Sequence, residues 1–323
     1  MKYSRIARYV AETPWAILES KLAEIEAVLE FHMAGGKYSP EDLQARFGEQ
    51  SRPEAGKRGA VAVVPLRGVI SHRMGGMIEM SGGMSVEQFT AMFRQAMADE
   101  AISAILIDVE TPGGTITGVT ELAAEIYAAR GKKPVVAHVN ALAASAGYWA
   151  ISGASEIVST PSGEVGSIGV ITSHIDTTKA DEADGLTRTV ISAGRYKAEG
   201  HGPLSDETKA AVQARVDEAY AVMVKDIAKG RGVKPSEVSG GYGEGRVVSA
   251  KQALSLGMID RIATMDQVLS GLMGKRSAAG LRAEESLTPE IEALSEMLDS
   301  ESPKLLAICA QAEADRRRRL ERF

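Results

Sequence analysis

Between about residue 60 and residue 274 the chain alternates two kinds of segment, and this alternation limits the folds open to it more than any other feature. Ala60 to Leu66, Ala104 to Val109, Val135 to Val139, Glu156 to Ser159 and Ile168 to Thr172 are short, apolar and rich in β-formers. Ser85 to Asp99 and Val119 to Ala129 lie between them with apolar residues at helical spacing. Strand, helix, strand in repetition implies parallel strands joined by crossover helices. The expected fold class is α/β with a mostly parallel sheet. In such sheets chemistry gathers in the loops at the carboxyl ends of the strands.

The flanks read differently. Residues 1–59 are expected to form a helical segment and a linker. Thr13-Pro14 supplies an N-cap followed by proline at the first helical position, and Leu18, Leu22, Ile25 and Leu29 make an apolar stripe. A second helix is expected from Ser39-Pro40-Glu41-Asp42, and Gln50 to Gly59 is rich in Pro, Gly and basic residues, as linkers are. The stripe suits packing on the main domain first and a partner contact second. Residues 275–323 hold seven acids and no Lys or Arg between 284 and 301, then four arginines at 316–319. Such blocks predict a charged, exposed tail that docks a partner or is merely solvated.

Composition narrows the function. The single cysteine, Cys309, excludes a disulfide framework and a cysteine-rich zinc site. A net charge of −6 argues against a general nucleic-acid binder. The longest apolar stretch, Pro134 to Ile151, is interrupted by His138, Asn140 and Ser145, so no membrane anchor is expected and the cytoplasm is the expected location. The five histidines are scattered without a ligand pair, Gly113-Gly114-Thr115 lacks the lysine of a phosphate loop, and no Gly-x-Ser-x-Gly elbow is present. No metal and no cofactor is expected.

Two segments carry candidate chemistry. In Asp108-Val109-Glu110-Thr111-Pro112-Gly113-Gly114-Thr115 a strand ends in paired glycines, which let backbone N–H groups approach a ligand with no Cβ in the way. Taken alone this is equally an ordinary strand-to-helix turn. In Asn140 to Trp149, Ser145 stands among alanines at the start of a helix, where the Ala146 N–H faces an oxyanion formed by its attack. Taken alone Ser145 reads as a packing residue and Lys197 as an exposed surface lysine.

Four pieces in order change that reading: Pro112-Gly113-Gly114, Ala144-Ser145-Ala146-Gly147-Tyr148, Gly166-Ser167-Ile168-Gly169 and Gly194-Arg195-Tyr196-Lys197. Over about residues 60–265 the chain resembles the signal peptide peptidase A family of Ser–Lys proteases, within the Clp protease and crotonase fold group. The Thr13-Pro14-Trp15-Ala16-Ile17 region is similar to its phage and prophage branch, which includes capsid-assembly proteases. The resemblance implies a repeated β-β-α core, with 60–274 as the peptidase domain. It implies Ser145 as nucleophile, Lys197 as general base, Gly114 and Ala146 (with Gly113 as the neighbouring alternative to Gly114) as oxyanion donors, and Ser167 as the residue orienting the lysine. It also implies a homo-oligomer.

Serine becomes a useful nucleophile only when a base takes its proton, and lysine is a base only when neutral. Lys197 is therefore expected to be mostly desolvated among hydroxyl partners. The leading expectation is a serine endopeptidase that cleaves capsid, portal or scaffold proteins during phage head assembly. The alternatives are a bacterial housekeeping peptidase that clears signal-peptide remnants and a scaffold-type assembly protein with little catalysis. A crotonase-type acyl-CoA enzyme shares the oxyanion hole but needs no Ser–Lys pair. Around Met74–Met84, small and apolar residues suggest a shallow apolar substrate site.

Overall fold

The computed structural model describes residues 4–39, 54–73, 83–200 and 202–274. The expected helix from Ser39 onward, most of the Met74–Met84 region and the charged tail fall largely or wholly outside these residues. The chain divides into two compact units, residues 1–269 and 270–323, and all that follows concerns the first.

In chain order its elements are α1 (Ser4–Glu12), β1 (Trp15–Ile17), α2 (Glu19–Met33), β2 (Gly56–Arg58), β3 (Val61–Arg67), β4 (Ile70–Ser71), β5 (Met84–Ser85), α3 (Val86–Ala98), β6 (Ala104–Thr111), β7 (Gly113–Thr115) and α4 (Val119–Ala128). There follow β8 (Val135–Ala144), α5 (Ala146–Ile151), β9 (Glu156–Ser159), β10 (Glu164–Gly166), α6 (Thr178–Ala183), α7 (Asp206–Arg231), α8 (Pro235–Gly241), β11 (Val247–Ser249), α9 (Ala250–Ser255) and β12 (Arg261–Ile262). A last helix begins at 265.

The main sheet runs β11-β10-β8-β6-β3-β2, with β9 and β12 joined to it through β8. Pairs β3–β6, β6–β8, β8–β9 and β8–β10 are parallel, and antiparallel pairs occur at β2–β3 and β10–β11. The central strands are buried on both faces, which is why Ala104 to Ile107 reads as an unbroken apolar run. Between them, Ser85 caps α3 by accepting from the Gln88 N–H at 3.1 Å. Val86, Phe89, Phe93 and Ala96 then bury one face of that helix.

A second, four-stranded sheet, β1-β7-β4-β5, forms where strands leave the first. β4 follows β3 after two residues, and β7 follows β6 after Pro112 alone. The expected β-β-α succession is thus present as β6–β7–α4. The α/β class holds.

The N-terminal segment differs from its expected form. Thr13-Pro14 does not open a helix: α1 ends at Glu12, with the Thr13 hydroxyl donating to Tyr9 O at 2.6 Å, and Trp15–Ile17 is a strand. Two free strand edges outbid the local cap signal: β1 pairs with β7 on one side, and Trp15 bridges to Ile171 on the other. The stripe does form on α2, where Leu22 and Leu29 pack with Val10, Trp15, Ile17 and Val69. The strand expected at Ile168 to Thr172 is likewise reduced to the single bridge at Ile171, and the ladder strand is Glu164–Gly166.

Two charged groups tie the sheet to α7. Arg130, half-buried after α4, donates to the carbonyls of Gly153 (2.8 Å), Ala154 (2.7 Å) and Gly230 (2.6 Å). The Arg231 guanidinium holds Asp260 through two bonds of 2.7 and 3.0 Å, and Asp260 also accepts from the Ile157 N–H at 2.7 Å. Burial pushes the Asp260 carboxyl up, but the bonds from Arg231 and Ile157 outweigh it and hold the group below its ordinary value.

Two outcomes follow for stability. Arg130→Ala leaves several carbonyls without a donor and should cost about 2–4 kcal/mol, measured by chemical denaturation. Asp260→Asn should cost about 1 kcal/mol at neutral pH, a modest value because the carboxylate is partly exposed. Because the folded-state value is depressed, the carboxylate contributes fully above its unfolded pKa of about 3.9. The contribution fades as pH falls below that, so the melting temperatures of the two proteins should converge in acid.

Candidate active site

Ser145 stands where β8 leaves the main sheet and α5 begins. Its backbone has φ 54° and ψ −117°, a region few side-chain-bearing residues adopt. Among the described residues only Ser145, Ser167 and Glu244 are non-glycines with positive φ, so two of the three are residues that the sequence nominates. Such conformations cost about 1–3 kcal/mol and persist where the surroundings over-determine them. Here the Ser145 N–H donates to Gly166 O at 2.7 Å, and every residue of α5 is buried. The Tyr148 hydroxyl donates to Met258 O at 2.8 Å and the Trp149 indole N–H to Asp226 Oδ2 at 3.0 Å. Burial raises the Tyr148 pKa well above its ordinary value, so this hydroxyl stays a donor.

The paired glycines run alongside. Gly113 has φ 99°, and a methyl on Gly114 would sit 1.8 Å from Ile70 O, so the close strand approach at Gly114 tolerates no side chain. Thr111 holds this turn: its hydroxyl donates to Gly68 O at 2.6 Å and accepts from the Gly113 N–H at 3.1 Å. Nothing in the sequence singles out Thr111 within its segment, because a threonine at a strand end carries no distinguishing signal. The Ala146 N–H opens α5 and, like the first amides of any helix, has no acceptor within the helix.

The structure therefore brings together Ser145, Gly113, Gly114, Ala146 and the Gly166–Gly169 segment. The Ser145 hydroxyl donates to Gly169 O at 3.4 Å. Ser167 is buried, with its N–H on Arg246 O at 2.8 Å. Lys197 is not brought in. It lies exposed in the turns at 193–200, its backbone N–H on Gly194 O at 3.1 Å, and no described contact joins it to Ser145 or Ser167. The expected desolvation of Lys197 is absent from this single chain, because the neighbouring stretch is itself uncovered: Leu186, Val190, Ile191 and Tyr196 are exposed.

No histidine takes the place of the lysine among the described residues. His138 faces Ala263 O at 3.1 Å, with burial lowering its pKa, and His174 faces Gly202 O at 2.8 Å. Nor is Ser145 open to solvent: it is fully buried. A cavity of about 210 Å³ lies elsewhere, among Glu12, Pro14, His174, Glu199 and one side of α7. No helix of the described residues is long and apolar enough to cross a membrane.

Residues 128–279, which include Ser145, Ser167 and Lys197, match the family model of Peptidase family S49. The head-tail preconnector protein GP5 of Enterobacteria phage P21 is 29% identical over 262 residues, which span 80% of this chain and 51% of that protein. Capsid assembly protease C of Escherichia phage lambda is 30% identical over 204 residues, spanning 62% of this chain and 46% of that one. The chloroplastic serine protease SPPA of Arabidopsis thaliana is 28% identical over 219 residues, spanning 67% and 32%. The chain spans about half the length of the two phage relatives. The resemblance carried by the four short motifs is borne out: residues 128–279 of the chain are similar to Peptidase family S49, and its curated relatives include phage head proteins and serine proteases.

Proposed function

We propose that the chain is a serine endopeptidase that cleaves proteins of a phage head, such as capsid, portal or scaffold subunits. The observation that carries the reading is the backbone of Ser145, held at φ 54° at the head of a wholly buried helix beside the Gly113–Thr115 strand. The family match over residues 128–279 and the capsid-assembly and preconnector relatives support the peptidase class and the substrate class.

In this reading the Ser145 oxygen attacks a substrate carbonyl and its proton passes to neutral Lys197. The negative oxygen that develops is held by the Gly114 and Ala146 N–H groups, which cost no reorganisation because strand and helix fix them beforehand. Lys197 then protonates the departing amine, and water hydrolyses the acyl-enzyme. Ser167 orients the lysine. Lys197 rides on a stretch whose exposed apolar side chains call for a cover. The pair thus closes when that stretch packs down, on this chain or against a second copy.

Purified Ser145→Ala and Lys197→Arg should each lose cleavage of a peptide or head-protein substrate by about a thousandfold or more, and the double variant should be no worse, since nucleophile and base act as a unit. Arginine keeps the charge and cannot deprotonate in the usable range. Because the base works only when neutral, wild-type activity should rise with pH between about 6 and 10. Substitution of His138 or His174 should leave cleavage largely intact. Near-wild-type turnover by Lys197→Arg would refute the Ser–Lys assignment.

A further inference from the structure

A serine that attacks peptide bonds must meet its substrate, yet Ser145 is wholly covered. Across Gly113 from it runs the chain's own β1. This strand is inserted between two segments. On one edge it pairs antiparallel with β7, in the register Trp15–Thr115, Ala16–Gly114, Ile17–Gly113. On the other, Trp15 and Ile171 exchange two N–H···O bonds of 2.8 Å. Ile171 lies just beyond Gly169, whose carbonyl accepts from the Ser145 hydroxyl.

The register decides which carbonyl faces the site. Bonded and non-bonded pairs alternate along an antiparallel ladder. The Leu18 N–H donates to Pro112 O at 2.9 Å, so Ala16–Gly114, two residues along, is the next bonded pair. The Ala16 carbonyl is thereby directed to the Gly114 N–H, the donor assigned above to the oxyanion. A methyl built on Gly113 would lie 2.2 Å from Ala16 O and 3.0 Å from Ser145 Cβ, so the carbonyl and the nucleophile flank one point. An extended chain bonded along its edges, with one carbonyl at an oxyanion donor, is how strand addition presents a peptide for cleavage.

We propose that Trp15–Ile17 is a built-in substrate mimic that closes the site, with Ala16 in the position of the residue whose carbonyl is attacked, and that protein substrates enter when this strand withdraws. The inference rests on the assignment of Ser145 as nucleophile. It also names a substrate class: an extended segment with a small residue before the scissile bond, because Ala16 is fully buried where it sits. The mimic is anchored on both sides. Trp15 donates its indole N–H to Val10 O at 2.7 Å, and Trp15 and Ile17 pack with Val10, Leu22, Leu29 and Val69. Its attachment to α1 and α2 keeps its concentration at the site high, as a tether does for any intramolecular ligand. With Lys197 exposed and away from Ser145, the closed form lacks its base as well as its access, which accounts for an uncut strand lying in the site.

The test compares the full chain with Trp15→Ala/Ile17→Ala, which weakens the anchors, and with Ala16→Pro, which removes one ladder donor and leaves the anchors in place. Each is labelled at Ser145 with a fluorophosphonate, with and without a synthetic peptide of residues 12–20, and amide exchange is followed at Gly114 and Ile171. Labelling should be at least about tenfold faster in the variants, as expected when a closed population is released. The free peptide should slow it again, and protection at Gly114 and Ile171 should fall. Equal labelling rates in folded variants, or an unprotected Gly114 amide in the unmodified chain, would overturn the proposal. Labelling in no chain overturns the Ser145 assignment instead, and the exchange data then decide by themselves whether the strand occupies the cleft.

Discussion

The bond from the Ser145 N–H to the Gly166 carbonyl, 2.7 Å long, is the point on which the site depends. It joins the end of β8 to the end of β10 just where β8 stops pairing and the chain must turn sharply into α5. A positive φ at a residue with a side chain is unfavourable by itself, so it has to be held. The helix that follows has six residues and all are buried, which leaves it no freedom to relax the turn. Arg130 fastens the carbonyls just beyond that helix to α7 through Gly230. The strain at Ser145 is thus borne by the packing of the whole domain.

The same arrangement explains why the second sheet exists. β3 and β6 end beside one another, and each passes a short continuation, β4 or β7, into a layer above the site. The glycines of β7 make this possible, since any Cβ at Gly114 would strike the Ile70 carbonyl. That leaves one edge of β7 free to accept an extended chain. β1 takes it, and the 171 region supplies the other edge. A cleft built to bind strands is, by the same hydrogen bonds, a cleft that the chain's own N-terminal strand can fill.

How much of this could be read beforehand varies with the range of the forces involved. Glu156–Ser159 and Val86–Ala98 emerge nearly as the pattern implies, because burial on parallel strands and a serine cap are written in local residue types. Thr13-Pro14 misleads for the opposite reason. Its cap signal is a preference of about 1 kcal/mol, and a strand bonded along both edges outweighs it. Ile168 to Thr172 is apolar enough for a strand, but what it pairs with is one residue of a segment more than 150 positions away. Thr111 gave no sign at all, since its two bonds to Gly68 and Gly113 are set by the fold.

The sequence by itself determined the α/β class, the parallel core and the identity of the serine and glycines that meet at the site, because apolar periodicity and small-residue motifs are properties of short stretches of chain. Only the tertiary structure decided that Ser145 is buried, that Trp15–Ile17 lies on β7 in the register that sets Ala16 against Gly114, and that Lys197 is exposed. Those outcomes depend on which strand edges are left unpaired and which apolar surfaces are left uncovered once the core has closed. Hydrogen-bonding edges and buried area are shared between distant segments, so no stretch of residues specifies them alone.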